Sequence, residues 1–196
     1  KKYAHQEIIR DFEQGRIDIL VGTQMVTKGL DFDNVTVVGI LNADNMLHYP
    51  DFRAYERAFQ LMMQVAGRAG RKGKQGKVLL QTYDETHGVI QLLRSHDFKQ
   101  FYTEQIAERK IFNYPPFSRL IAITLKHKDK NRLDIASNQL AAQLRKSFDS
   151  RVLGPEYPAI SRIMNYYHKD ILLKIEQKAS VKKAKTIIAT IIENLQ

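Results

Sequence analysis

Gln64-Val65-Ala66-Gly67-Arg68-Ala69-Gly70-Arg71 closes a stretch with helical apolar spacing, and it places two arginines three residues apart. Three residues is close to one helical turn, so both guanidiniums are expected on one side of the last turn. Gly67 and Gly70 precede the two arginines and keep Cβ atoms away, which lets a charged ligand or a facing backbone come close. Arginine suits phosphate, because its planar fork donates two parallel hydrogen bonds and stays charged. A plainer reading of the same residues is that cations at a helix C-terminus complement its dipole. Upstream, Ile17–Val21 is a short apolar run bounded by turn residues, the pattern of a buried parallel strand. Gly22-Thr23 would leave it at the carboxyl edge, where open α/β sheets hold ligands. Val35–Leu41 reads as a second strand, followed by Asn42-Ala43-Asp44, and Lys77–Gln81 as a third. Arg53–Ala66 is a helix, with apolar residues at Ala54, Ala58, Leu61, Met62 and Val65. Strand and helix alternate, which predicts an α/β unit with a parallel sheet.

The octet has the form Gln-x-x-Gly-Arg-x-Gly-Arg and resembles motif VI of superfamily 2 helicases. Gly22-Thr23-Gln24-Met25-Val26-Thr27-Lys28-Gly29-Leu30-Asp31-Phe32 resembles motif V of that superfamily, in the right order and at a plausible separation. Between them, Asp44 and Asp51-Phe52-Arg53-Ala54-Tyr55-Glu56-Arg57 are similar to the primosomal replication-restart branch. So are Gly73-Lys74-Gln75-Gly76-Lys77-Val78, Leu80-Gln81-Thr82, Tyr114-Pro115-Pro116-Phe117 and Leu153-Gly154-Pro155. The resemblance runs through nearly the whole chain and implies a RecA-like second helicase lobe, partial here, followed by a small C-terminal domain.

It also implies roles, position by position. Arg71 matches an arginine finger that neutralises charge growing on the γ-phosphate of ATP, Arg68 its companion, and Gln64 the residue coupling them to the catalytic water. Such a finger is worth about 10³–10⁵ in rate. Gly29 and Asp31 would lie near the nucleotide. Gly22 and Thr23 would grip a DNA phosphate, with Lys28 reaching that phosphate or the nucleotide's, although Thr23 also fits a plain strand-end cap. The implied cofactors are ATP and Mg²⁺, with zinc held only by a module upstream of motif V. The implied partners are forked and single-stranded DNA, the single-stranded DNA-binding protein and primosome proteins. No Gly-x-x-x-x-Gly-Lys-[Ser/Thr] loop occurs, and no acidic Asp-Glu box for magnesium is expected, so this stretch by itself is expected not to hydrolyse ATP.

The chain has 196 residues, 43% hydrophobic and 27% charged, as in an ordinary globular protein. No apolar run approaches the ~20 residues of a membrane span. It lacks cysteine, which excludes disulfides and thiolate metal sites and agrees with a cytoplasmic location. The six histidines show no ligand spacing, so no metal is expected. Opening at Lys1 in mid-pattern, the chain is expected to be part of a longer one. The net charge of +10 is concentrated: residues 91–196 hold 19 Lys and Arg against 10 Asp and Glu, whereas residues 1–90 hold 12 against 11. A basic half points to an anionic partner, or to a surface solubilised by lysine.

In order, Lys1–Gln14 is expected to be a helix with Ile8, Ile9 and Phe12 on one face, closed by Gly15. Residues 1–90 are the expected helicase lobe and 91–116 a helical linker broken by Pro115-Pro116. Residues 117–196 are an α+β domain of order βαββα, its last strand expected to be missing. There Leu120–Leu125 is a strand, and Arg132–Phe148 a helix with Leu133, Ala136, Leu140 and Leu144 inward. Arg151–Leu153 is a strand stopping at Gly154-Pro155, Ile160–Met164 and Asp170–Ile175 pair as strands, and Val181–Leu195 is a helix. Basic residues here include Lys126, Lys128, Arg162 and Lys169, interleaved with Tyr157, Tyr166, Tyr167 and His168, which suits phosphate pairing and base stacking. The branch usually shows arginine and tryptophan around Tyr166–His168, so stacking there departs from its pattern. Lys178, Lys182 and Lys183 are the expected contact for an acidic peptide, as the resemblance implies. Two other functions fit the sequence: a passive nucleic-acid or protein-binding module, and another superfamily 2 helicase such as a branch-migration enzyme.

Overall fold

A computed structural model describes residues 2–23, 35–70 and 76–195, which form two compact units, residues 1–103 and 104–196. In the first unit, α1 (Lys2–Glu13) ends where Gly15 adopts φ 71° and its N–H reaches Phe12 O, the glycine stop expected from sequence. Strands β1 (Val37–Ile40) and β2 (Lys77–Leu80) pair in parallel, Val37 opposite Lys77 and Ile40 opposite Leu80. Hydrogen bonds from Lys77 N to Thr36 O, Gln81 N to Ile40 O and Ala43 N to Gln81 O carry the ladder past both ends.

Residues 17–23 are not a strand, which corrects the expectation for Ile17–Val21. Ile19 and Val21 are 78% and 81% exposed. A parallel strand needs cover on both faces, and Val37, Leu41 and Leu79 of the existing pair are themselves exposed. The apolar run therefore has no covered face to join.

The helices that share the core with this sheet are α2 (Asp44–Leu47), α3 (Ala54–Ala66), α4 (Gly88–Arg94) and the first turns of α5 (Phe98–Ile111). In α3, Ala54, Ala58, Phe59 and Met62 form the buried stripe, while Leu61 and Val65 are half-buried. Phe59 lies flat on Phe101, centroids 4.2 Å apart and planes at 10°, and Ala43, Leu47 and Ile90 complete the core. His87 caps α4, its Nδ1 accepting from Val89 N at 3.2 Å. Residues 91–103 are thus not a linker: Leu93 and Phe101 are core residues of the first unit, and the division falls inside α5.

The second unit runs β3 (Ser118–His127), α6 (Lys130–Phe148), a 3-10 turn (Asp149–Arg151), β4 (Val152–Glu156), β5 (Arg162–Ile163), β6 (Tyr166–Glu176) and α7 (Val181–Glu193). The order is βαβββα, which the elements read singly from the sequence also give and which has one strand more than βαββα. Its antiparallel sheet has β6 between β3 and β4, with β5 also on β6. Asp129 caps α6 through Arg132 N at 3.0 Å, and Ser180 caps α7 through Lys183 N at 3.3 Å. On α6 the inward stripe is Leu133, Ser137, Leu140, Ala141, Leu144 and Phe148. Ala136 is exposed, because at 100° per residue it lies about 90° from the middle of that stripe.

β4 does not stop at Gly154-Pro155. Between Leu153 opposite Leu172 and Glu156 opposite Asp170, β4 carries one more residue than β6, a bulge that admits a proline. Gly154 has φ 86°, and a Cβ there would lie 2.7 Å from Asp170 O. Met164 and Asn165, with φ 48° and 68°, form a two-residue loop that joins Ile163 directly to Tyr166, so β6 begins earlier than Asp170.

Replacing Phe59 with alanine removes the stacked partner of Phe101 from a site 2% exposed. The first unit should lose about 3–5 kcal/mol, read as a lowered midpoint in urea unfolding, with the second unit's transition unmoved.

Candidate functional site

The first unit delivers the octet from the end of α3. Gln64 is exposed on the last turn, the helix ends at Ala66, and Arg68 N and Ala69 N donate to Val65 O and Ala66 O in the turn that follows. Arg68 therefore stands just beyond the helix, not on it. Gly70, at φ 74°, turns the chain away and donates its N–H to Val35 O at 3.2 Å. A Cβ on Gly76 would sit 2.3 Å from Gly70 N, so this crossing requires glycine. The helical spacing assumed for Arg68 and Arg71 ends at this turn; Arg71 itself, with Lys28, Gly29 and Asp31, lies outside the described residues.

Arg68 is half-buried in the wall of a cavity of about 480 Å³ that Gly22, Thr23, Val35 and Leu41 also line. Gly22, Thr23 and Arg68 thus face one space beside β1. Its walls are mostly apolar, and its two charged side chains are Arg68, which suits a phosphate, and Asp18, which opposes one.

Asp44 binds the carboxyl ends of β1 and β2 together, a role not read from sequence. Its carboxylate accepts from Thr82 Oγ1 at 2.9 Å and Tyr83 N at 3.1 Å. Partial desolvation works against the charge, but these donors outweigh it and hold Asp44 below the usual carboxylate range. Asp84-Glu85-Thr86-His87 does spell Asp-Glu-x-His, contrary to the expectation of no acidic box. Here Asp84 accepts from Thr86 Oγ1 and N at 2.6 and 3.0 Å while His87 caps α4, so these residues close a turn. Among the described residues no group of three His, Asp or Glu could hold a metal ion.

In the second unit, Lys126 and Lys128 come together over the Tyr166 ring, their Nζ atoms 5.8 and 5.5 Å from its centroid. Arg162 stands over Tyr167 at 5.0 Å, and Tyr167 is on the opposite face of β6 from Tyr166. Lys169 departs from its expected role. It is 8% exposed, its Nζ lies 2.6 Å from Asp134 Oδ1, and it is unavailable to a phosphate. The same carboxylate oxygen accepts from Tyr157 OH at 2.7 Å. Lys178, Lys182 and Lys183 are exposed around the start of α7, where cations oppose the helix dipole and add nothing to helix stability.

Comparison with known proteins gives two family matches in this order along the chain. Residues 1–73 match the helicase conserved C-terminal domain, and residues 110–195 match the primosomal protein N C-terminal domain. The replication restart protein PriA of Bacillus subtilis (strain 168) is 42% identical over 183 residues, covering 92% of this chain and 23% of that protein. This chain belongs to the PriA family. PriA of Synechocystis sp. is 37% identical over 176 residues, and PriA of Treponema pallidum 40% over 173, covering 89% and 86% of this chain. These matches take up 21% and 26% of those proteins, so the chain spans about a quarter of the length of the PriA relatives it matches.

The Asp134–Tyr157–Lys169 cluster sets a pH dependence. Burial, with the Asp134 charge beside it, pushes the Tyr157 hydroxyl up to about 12. The Lys169 ammonium and then the Tyr157 hydroxyl hold Asp134 below its ordinary range. Because the folded state favours neutral Tyr157, its contribution is full below the unfolded value of about 10 and is lost as pH rises through about 12. Asp134 contributes fully above about pH 4 and loses that contribution as pH falls through its depressed folded value. The difference in thermal midpoint between the wild type and Tyr157→Phe should be constant near neutrality and shrink above about pH 10.

Proposed function

We propose that this chain is the second helicase lobe and C-terminal domain of an ATP-dependent DNA helicase. The complete protein would act 3′ to 5′ on stalled or abandoned replication forks and restart primosome assembly. One observation carries this reading: Gly22 and Thr23 face the same cavity as Arg68, in a chain whose two family matches follow helicase-then-primosomal order.

In this reading Arg71 is the finger that meets the γ-phosphate, Arg68 braces the same anion, and Gln64 links them to the attacking water. Gly29 and Asp31 lie against the nucleotide, and Gly22, Thr23 and Lys28 hold a DNA phosphate from backbone and side-chain donors. ATP with Mg²⁺ supplies the transferable phosphoryl group and its charge neutralisation, both held from the other lobe. Zinc belongs to a module outside these residues. Lys126, Lys128 and Arg162 contribute to DNA binding, whereas the buried, paired Lys169 is withdrawn from that set. Lys178, Lys182 and Lys183 offer exposed cations to the acidic tail of the single-stranded DNA-binding protein, and primosome proteins are further partners.

In the complete protein, Arg71→Ala should lower DNA-stimulated ATP hydrolysis about 10³-fold or more, with single-strand affinity retained. Residues 1–196 alone should hydrolyse no ATP, since no phosphate-cradling loop is among them. Unchanged hydrolysis in the Arg71→Ala protein would leave the chain as a passive binding module; turnover by residues 1–196 would break the half-site reading.

A further inference from the structure

The parity of β6 divides the second unit's sheet into two unlike faces. Lys169, Ile171, Leu173 and Ile175 are buried, the last three in the core with Leu140, Leu144 and Ile188 of α6 and α7. Tyr166, His168, Asp170, Leu172 and Lys174 point the other way. Across from them on β3 stand Lys126 opposite His168, Thr124 opposite Asp170, Ala122 opposite Leu172 and Leu120 opposite Lys174. Lys126, Thr124 and Ala122 are exposed, so this side is a shallow floor of small and half-buried side chains.

The two ends of the floor differ. At one, Lys174 is occupied: its Nζ donates to Phe112 O at 2.6 Å and lies 3.8 Å from the Tyr114 ring centroid. At the other, no hydrogen bond or ion pair among the described residues occupies Lys126 or Lys128. Tyr166 is 37% exposed and Ile163, directly opposite it in the register, is 50% exposed. Lys126 and Lys128 stand over the ring, their Nζ atoms 5.8 and 5.5 Å from its centroid, so a base entering there takes the ring face as the two ammoniums shift to its phosphates. The middle of the floor is acidic, with Asp170 accepting from Thr124 Oγ1 at 2.6 Å and Glu156 opposite Asp170. Asp129, which follows Lys128, spends its carboxylate on the cap of α6.

We propose that the hairpin end of this face is a stacking platform for single-stranded DNA: one base lies on Tyr166 and Ile163, and Lys126 and Lys128 take the flanking phosphates. The inference rests on the reading of the chain as DNA-handling and adds to it a subsite and a form of the ligand. A flat aromatic beside an apolar neighbour offers a surface to any base, whatever its hydrogen-bonding edge. A paired base inside a duplex has no free face to give it. Lysines on a flexible stem suit phosphates whose position varies along an unpaired backbone. Asp170 and Glu156 repel the backbone from the middle of the sheet, so the footprint is confined to one or two nucleotides at the β3–β6 end. The charge pattern also separates this site from the lysines of α7, which carry no aromatic among them.

The test measures binding of residues 1–196 to a fluorescein-labelled oligothymidine of about 15 nucleotides, to an abasic strand of the same length, to a duplex and to an oligo-aspartate peptide. Tyr166→Ala should weaken oligothymidine binding about 5- to 150-fold, the loss of one base–aromatic stack. It should leave the abasic strand unaffected, and Tyr166→Phe should retain wild-type affinity. Lys126→Ala and Lys128→Ala should each reduce the slope of log affinity against log salt by about 0.7. Circular dichroism checks that each variant is folded, and Tyr166→Phe keeps the test sound should the alanine variant unfold. Equal affinity of the wild type for oligothymidine and the abasic strand would overturn the platform. So would an unchanged affinity in folded Tyr166→Ala, or oligo-aspartate binding that falls with Tyr166→Ala as oligothymidine binding does. None of these outcomes touches the ATP hydrolysis of the complete protein, which tests Arg71 separately.

Discussion

The second unit depends on the alternation along β6. Eleven residues of one strand pair with β3 on one side and with β4 and β5 on the other, so every partner inherits its register from this strand. Ile171, Leu173 and Ile175 point into α6 and α7 and make the core continuous. A slip of one residue would put these side chains in water and bring Asp170, Leu172 and Lys174 against the helices. The hairpin at Met164-Asn165 and the bulge at Gly154-Pro155 fix the register from the two neighbours, each through a backbone geometry with positive φ. A face that must be apolar on one side leaves the other free to carry Lys126, Lys128 and Tyr166.

The first unit rests on a different device. Its parallel pair is short, and what ties the carboxyl edge is side-chain chemistry: Asp44 bridges the end of β1 to Thr82 and Tyr83 after β2. The aromatic stack of Phe59 on Phe101 anchors α3 below, and the same helix carries Arg68 to the cavity at its end. The fold therefore positions an arginine by packing at one end of a helix and a crossing of glycines at the other.

Much of this is legible in the sequence. The octet, the helix Arg53–Ala66, the strands on either side of it and the helix breaks at Gly15 and Pro115 follow from spacing and turn chemistry. Four differences between sequence pattern and structure have physical causes. Ile17–Val21 has the composition of a buried strand, but composition cannot say whether neighbours are present to cover it. The Asp44–Thr82 bond joins residues 38 apart, and no local pattern announces it. The inward place of Lys169 is written in the strand's alternation: it shares its parity with Ile171, Leu173 and Ile175, whereas Lys126 alternates with Ile123 and Leu125 and faces out. Ser137 similarly takes the inward place given to Ala136, since a serine bonded to Asp134 O fits a helical core position that polarity alone would deny it.

The irregularity of β4 has a consequence beyond its own turn. β4 is an outer strand, and an outer strand with free donors and acceptors is a template on which a second chain can build. Pro155 has no N–H to offer, and the extra residue at Gly154 throws the neighbouring carbonyls out of line. An incoming strand would meet a break in the pattern at Gly154-Pro155. This edge is thus closed to sheet extension without any charge being spent on it.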